Sequence, residues 1–246
     1  MEKIKLGAVS YLNTKPLLYG IKQGEKLLNK IIITEDYPSR ISAMLLDGSI
    51  DIGLVPVAIL PKLKEYFIVS DYCIGACGDV ASVCLFSDVP LHEIKTVLMD
   101  YQSETSVALC KILMKGYWNI NPSIENTNNE FGERITGTTA AIMIGDRALM
   151  QRSISKYVYD LAGNWKSFTG LPFVFAAWVA NKKIDPAFIF LFNECNKFGI
   201  ENIDEVIKQE NFPLYNLHTY YTKNISYLLD DEKKKGMDLF LKMMEK

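Results

Sequence analysis

Short apolar runs alternate with amphipathic segments along most of this chain. Ile4 to Val9 is the first run, and its length and β-rich composition read as a buried strand. A polar turn follows, Ser10-Tyr11-Leu12-Asn13-Thr14-Lys15-Pro16-Leu17, and it leads into a helix. Asn13 or Thr14 stands where a cap is needed, and Pro16 suits the first helical turn. Ile31 to Thr34 reads as a second buried strand. Tyr37-Pro38-Ser39-Arg40 then turns into a helix with Ile41, Met44 and Leu45 on its apolar face, ended by Asp47-Gly48. Ile50 to Val55 is the next strand, Pro56 to Ile59 opens a helix, and Phe67 to Val69 is a further strand. This strand–helix–strand order predicts a mainly parallel sheet with helices on both faces.

The second half repeats the device. After an extended section from Tyr72, the run Val80 to Phe86 reads as a strand crossing out of the first lobe, and Pro90 to Ile94 as a connector. Thr96 to Asp100 is a strand, followed by a helix with Leu109, Ile112 and Leu113 on one face. Ser123 to Thr127 reads as a short strand, Glu130 to Arg134 as a polar loop or helix, and Ala140 to Ile144 as a buried strand entering Gly145-Asp146-Arg147. Phe173 to Ala180 is a second crossing strand. Asp185-Pro186 opens a helix through Phe198 closed by Gly199, and a last helix from Asp230 carries Met237, Phe240, Leu241 and Met244. The expected architecture is α/β, with two lobes joined by two crossing strands, as in periplasmic binding proteins. Residues 1–86 form the first part of lobe one, 87–174 lobe two, and 175–246 the return with C-terminal helices.

Composition narrows the function classes. The chain has 246 residues, 49% of them hydrophobic and 23% charged, with a formal net charge of −2. That balance predicts no nucleic-acid partner, and no spare helix-turn-helix is evident. No apolar run approaches the roughly 18 residues of a membrane span, and no apolar leader precedes the first strand, so a cytoplasmic protein without a membrane partner is expected. The five cysteines, Cys73, Cys77, Cys84, Cys110 and Cys195, read as buried free thiols of a reducing compartment. Cys73 and Cys77 lack a second pair, and neither His92 nor His218 is close in sequence, so no metal site is expected. A Gly-x-Ser-x-Gly elbow and a phosphate loop are both missing.

Candidate chemistry lies at helix starts, where backbone N–H groups under a partial positive charge can receive an anion. Four starts stand at Asn13-Thr14, Ser39-Arg40, Thr105-Ser106 and Asp146-Arg147, with Ser10 beside the first. Arg40 and Arg147 offer charge to a ligand, or surface ion pairs. Tyr11, Trp165, Phe173 and Trp178 offer an apolar wall, or core packing.

Several blocks carry a resemblance. Gly7 to Leu17, Pro38-Ser39-Arg40, Asp51 to Val57, Gly78 to Val83, Asp100 to Val107 and Ile144 to Leu149 together resemble the MqnA family, the chorismate dehydratases. The resemblance implies a type II periplasmic-binding-protein fold working in the cytoplasm. It implies removal of water from chorismate to give 3-[(1-carboxyvinyl)oxy]benzoate, the first committed step of the futalosine route to menaquinone, without metal or organic cofactor. It assigns Asn13 and Ser82 to orienting the substrate and assisting departure of its hydroxyl, with the substrate's own enolpyruvyl carboxylate taking the ring proton. Substrate contacts are expected from Ser10, Tyr11, Thr14, Ser39, Arg40, Pro56, Thr105, Ser106, Gly145 and Asp146. Plainer roles are a helix cap for Asn13 and a small strand residue for Ser82. Other functions on the same fold are a small-anion binding protein without catalysis and the related 1,4-dihydroxy-6-naphthoate synthase.

Overall fold

A computed structural model describes residues 3–128 and 131–245. In chain order these form β1 (Ile4–Val9), α1 (Lys15–Gln23), α2 (Glu25–Leu28), β2 (Ile31–Asp36), α3 (Pro38–Leu46), β3 (Ile52–Pro56), β4 (Phe67–Ala76) and β5 (Val83–Ser87). Then come β6 (Thr96–Met99), α4 (Glu104–Leu113), β7 (Ser123–Asn126), β8 (Thr139–Ile144), α5 (Gly145–Gln151), β9 (Tyr157–Asp160) and α6 (Leu161–Thr169). The chain closes with β10 (Phe173–Ala180), α7 (Pro186–Glu201), α8 (Ile203–Gln209), α9 (Leu217–Thr219), β11 (Ser226–Leu228) and α10 (Asp231–Met244). Gly132–Arg134 is a single 3-10 turn. Glu130, expected at its start, lies outside the described residues.

Two sheets result. The first has the order β11-β4-β10-β3-β1-β2 and the second β7-β6-β8-β5-β9. The chain leaves the first sheet after β4, builds the second, and returns as β10. Because β10 comes back from the far lobe, it inserts antiparallel between β3 and β4. In the second sheet β5 runs antiparallel to both β8 and β9, while β6 is parallel to β7 and β8. The expected mainly parallel sheet is therefore mixed in both lobes. Local periodicity reports strands, but the direction of a returning strand depends on where the chain has been.

Sheet membership also moves one boundary. The run expected to cross between lobes, ending at Phe86, supplies β5, which pairs wholly within the second sheet. Its continuous apolar character reflects burial on both faces of a central strand. The passages between sheets are residues 77–82 and the segment of α6 before β10.

Smaller departures have local causes. Ile31–Asp36 is an edge strand with Ile32 exposed, because only β1 pairs with it. Val57–Lys62 is 3-10, interrupted by Pro61. Gly199 does not close α7 but lies inside it. A Cβ there would stand 1.8 Å from the Pro16 carbonyl oxygen, and one on Gly20 1.8 Å from the Cys195 carbonyl oxygen. The two glycines let α1 and α7 touch backbone to backbone.

The larger hydrophobic core runs through both lobes, and a smaller one around Phe86, Leu98, Phe131 and Met143 lies within the second. Trp165 on α6 meets Phe173 at 5.4 Å and Phe240 at 6.3 Å between ring centroids, joining the lobes on one side. Trp178 packs on Phe192. Four cysteines are buried, whereas Cys77 is exposed on the passage between sheets. Among the described residues no helix is long and apolar enough to cross a membrane, and no cluster of metal-ligating side chains occurs.

Candidate functional site

The lobes close on a cavity of about 40 Å³ lined by Val9, Tyr11, Asn13, Thr14, Pro38 and Pro56 of the first lobe. Ser103, Ser106, Ile144 and Gly145 face them from the second lobe, and Phe175 and Ala176 come from returning strand β10. Residues from the starts of α1, α3, α4 and α5 thus meet at one space. The space is small because the lobes are drawn together by direct bonds. The Tyr11 O–H donates to Gln102 Oε1. Leu12 N donates to Asp146 Oδ1 at 3.1 Å, and Ala58 N to Thr105 Oγ1 at 3.1 Å.

Asn13 sits in a 3-10 turn, Leu12–Thr14, between β1 and α1. Neither Asn13 nor Thr14 caps α1 through its side chain. Instead the buried Thr14 hydroxyl donates to Asn13 Oδ1 at 3.1 Å. That bond occupies the amide oxygen and leaves the Nδ2 hydrogens to donate. The Tyr227 hydroxyl donates to the Asn13 carbonyl oxygen at 3.0 Å and fixes the backbone beneath.

Ser82 is fully buried at the passage between the sheets. Ser82 N donates to the Val80 carbonyl oxygen at 2.8 Å, closing a three-residue turn around Ala81, whose φ is +63°. A left-handed alanine in such a turn costs roughly 1–3 kcal/mol and persists only where its surroundings hold it. They do so here. Asp160 accepts from Ala81 N at 2.8 Å and Val80 N at 3.1 Å, and also caps α6 through Ala162 N and Gly163 N. Arg152 Nη1 donates to the Ala81 carbonyl oxygen at 3.2 Å. Burial pushes the Asp160 carboxyl above the ordinary range, against the pull of its backbone donors. Gly145 N donates to the Ser82 carbonyl oxygen at 2.8 Å. The Tyr220 O–H donates to Ser82 Oγ at 2.7 Å.

The second lobe contributes a charged support behind the cavity. Arg147 Nη2 reaches Asp100 at 3.0 and 2.8 Å and Gln102 Oε1 at 2.8 Å, with its guanidinium over the Tyr101 ring. Burial pushes the Asp100 carboxyl up while Arg147 draws it down. Arg147 therefore anchors the loop holding Gln102, the acceptor for Tyr11. Gly145 has φ +62°, and a Cβ there would stand 3.0 Å from the Tyr11 ring, so glycine serves both the turn and the close approach of the lobes. Ser103 caps α4 by accepting from Ser106 N at 3.3 Å.

Of the expected contacts, Tyr11, Asn13, Thr14, Pro56, Ser106 and Gly145 line the cavity. Thr105 and Asp146 hold the lobes together beside it. Ser82 stands just behind the wall formed by Val80 and Val83. Ser10 and Arg40 are exposed and Ser39 is half-buried, and none of the three lines the cavity. Pro38, the buried first residue of α3, lines the cavity in place of Ser39 and Arg40. Trp165, Phe173 and Trp178 are core residues, and Phe175 supplies an aromatic wall instead. His92 and His218 are exposed. Sequence reasoning missed Ser103, Phe175, Tyr220 and Asp160. A Ser-x-x-Ser cap was readable in Ser103 to Ser106, whereas nothing local marked Tyr220.

A family model described as menaquinone biosynthesis matches residues 4–246. The chorismate dehydratase of Thermus thermophilus is 27% identical over 266 residues, spanning 98% of this chain and 94% of that protein. Among solved structures, a structural-genomics protein from Archaeoglobus fulgidus superposes with a TM-score of 0.78 at 13% identity, covering 99% of this chain and 97% of that one. A Candida albicans protein described as having the generic periplasmic binding protein fold gives 0.70 at 12% identity, covering 100% and 90%. The architecture is thus that of a periplasmic binding protein.

Proposed function

The chain belongs to the menaquinone biosynthesis family, and from that membership we propose that it is a chorismate dehydratase, a lyase of the cytoplasm that converts chorismate to 3-[(1-carboxyvinyl)oxy]benzoate and water. The observation that carries the reading is the cleft between the lobes, lined by Asn13, whose amide oxygen is taken by Thr14, and by Val80 and Val83 to either side of the Ser82 turn. A whole-length relative of that activity supports it.

Chorismate is a small ring with two carboxylates. The start of α4, through Ser103 and Ser106, and Asn13 receive the anion, and Tyr11, Phe175 and the prolines 38 and 56 pack on the ring. The reaction breaks a ring C–H bond and the neighbouring C–O bond. The C–H electron pair becomes the new ring double bond, and the hydroxyl departs with its own pair. The substrate's enolpyruvyl carboxylate takes the ring proton, hydrogen bonds from Asn13 Nδ2 and the Ser82 hydroxyl stabilise charge on the departing oxygen, and the same carboxylate gives the proton up so that the hydroxyl leaves as water. Aromatisation drives the step, so the protein supplies position and oriented donors. That economy suits a cavity wall that, among the described residues, has no histidine, lysine or arginine.

Purified protein incubated with chorismate should produce an aromatic ether, detected by its ultraviolet band and by a mass lower by one water. Binding without loss of chorismate would favour an anion receptor instead.

A further inference from the structure

We infer that Tyr220 is a positioning residue for this reaction, acting through Ser82; the inference rests on the reading of Ser82 given above. Tyr220 comes from the segment after α9, 138 residues along the chain from Ser82, and its ring is fully buried. It packs against Tyr215 and Tyr221 with centroids at 6.1 and 5.6 Å, so the ring has one place to be. Its hydroxyl meets Ser82 Oγ at 2.7 Å. A serine hydroxyl has one proton to give and two lone pairs to receive. With Tyr220 filling one lone pair, the Ser82 proton is directed away from Tyr220 and is polarised toward donation. The backbone on which this rests is itself held, since Asp160 grips Val80 N and Ala81 N and Arg152 grips the Ala81 carbonyl. The bond ties the segment after α9 to the passage between the two sheets.

Two chemical roles are open to a tyrosine here, and burial separates them. A relay would pass the Tyr220 proton on and leave a tyrosinate. Burial raises the cost of that anion well beyond what the hydrogen bond with Ser82 takes back, and the nearby Asp146 raises it further. Tyr220 therefore stays neutral and contributes a hydrogen bond only. One such bond is worth up to about tenfold in rate.

The test is a double-mutant cycle on the full chain with Tyr220→Phe and Ser82→Ala. Tyr220→Phe keeps the ring, so the thermal midpoint should stay within a few degrees. Its kcat should fall about tenfold with KM changed less than about twofold. Its kcat–pH profile should keep the alkaline limb of the parent. In the Ser82→Ala background the same substitution should cost less than about twofold, because the bond it removes is already gone. If Ser82→Ala leaves steady-state turnover too slow to follow, the cycle is read in single-turnover rates with each of the same four proteins in excess over chorismate. Parent-like kcat in Tyr220→Phe, or losses that multiply in the double variant, would overturn the role. Parent protein inert toward chorismate would remove the reaction itself, a result distinct from an unaffected Tyr220→Phe.

Discussion

At the scale of single residues, orientation decides what a polar group can do. An asparagine amide offers donor and acceptor on the same atom frame, and only its neighbours choose between them. At Asn13 the choice is made by Thr14, whose hydroxyl occupies Oδ1. A donor suits a dianionic substrate and a departing hydroxyl; an acceptor would repel both. Asn13→Asp keeps the shape and replaces both N–H donors with charge. It should lower kcat/KM for chorismate by about a hundredfold or more, the usual scale for a lost oxyanion donor. Thr14→Val keeps the buried volume but frees the amide to rotate. It should cost about three- to tenfold in kcat, with the far-ultraviolet spectrum and thermal midpoint near those of the parent. Steady-state kinetics on both variants measure the two effects. A Thr14→Val enzyme with unaltered kcat would mean that the amide is oriented by something other than Thr14.

At the scale of elements, the glycines at the crossing of α1 and α7 hold the helix that follows Asn13. A Cβ at Gly20 meets a backbone carbonyl oxygen, which cannot swing aside as a side chain would. Gly20→Ala should therefore fall at the upper end of overpacking costs, about 3 kcal/mol, and lower the thermal midpoint by about 6–12 °C for a chain of this size. Gly48 provides the comparison. Its φ is +80° with nothing within 4 Å of a Cβ, so Gly48→Ala should cost about 1–2 kcal/mol from backbone strain alone. Calorimetry on the pair separates packing from conformation. This crossing also marks where sequence patterns stop being informative. Strand and helix positions were legible, because apolar spacing and caps are local. Gly199 looked like a helix end by the same local logic, and only the approach of α1 shows it to be a contact. The site divides in the same way. Asn13, Thr14, Ser106 and Gly145 were legible because helix starts carry their own signature. Tyr220 was not, because its meaning comes from Ser82. Arg147 was legible as a charge, yet its partner Asp100 lies 47 residues earlier in the chain, and that pairing commits it to support rather than to ligand.

At the scale of the molecule, the continuous core through Trp165, Phe173 and Phe240 fixes the lobes on one side. Motion that admits a substrate must then part the other side, where the bonds from Tyr11, Leu12 and Ala58 cross the cleft. A cavity of about 40 Å³ is far too small for entry without such parting. Asp146 is the titratable member of this set. Burial pushes its carboxyl above the ordinary range, partly offset by the Leu12 N–H. Opening the cleft returns it toward water and toward its ordinary value. The closed state therefore binds its proton more tightly than the open state, and by linkage a fall in pH through that window favours closure. Asp146→Asn retains the acceptor and discards the buried charge, so it should hold the lobes closed and remove this part of the pH dependence. Asp146→Ala loses the acceptor and should shift the balance toward open by up to about tenfold, the worth of one hydrogen bond. Small-angle scattering reads both variants directly. The radius of gyration should be smallest for Asp146→Asn and largest for Asp146→Ala. The parent should contract as pH is lowered from neutrality toward the carboxylate range, and Asp146→Asn should contract less. A parent that expands on acidification while still folded, or an alanine variant no more open than the asparagine one, would place control of closure with Tyr11 and Thr105 rather than with Asp146.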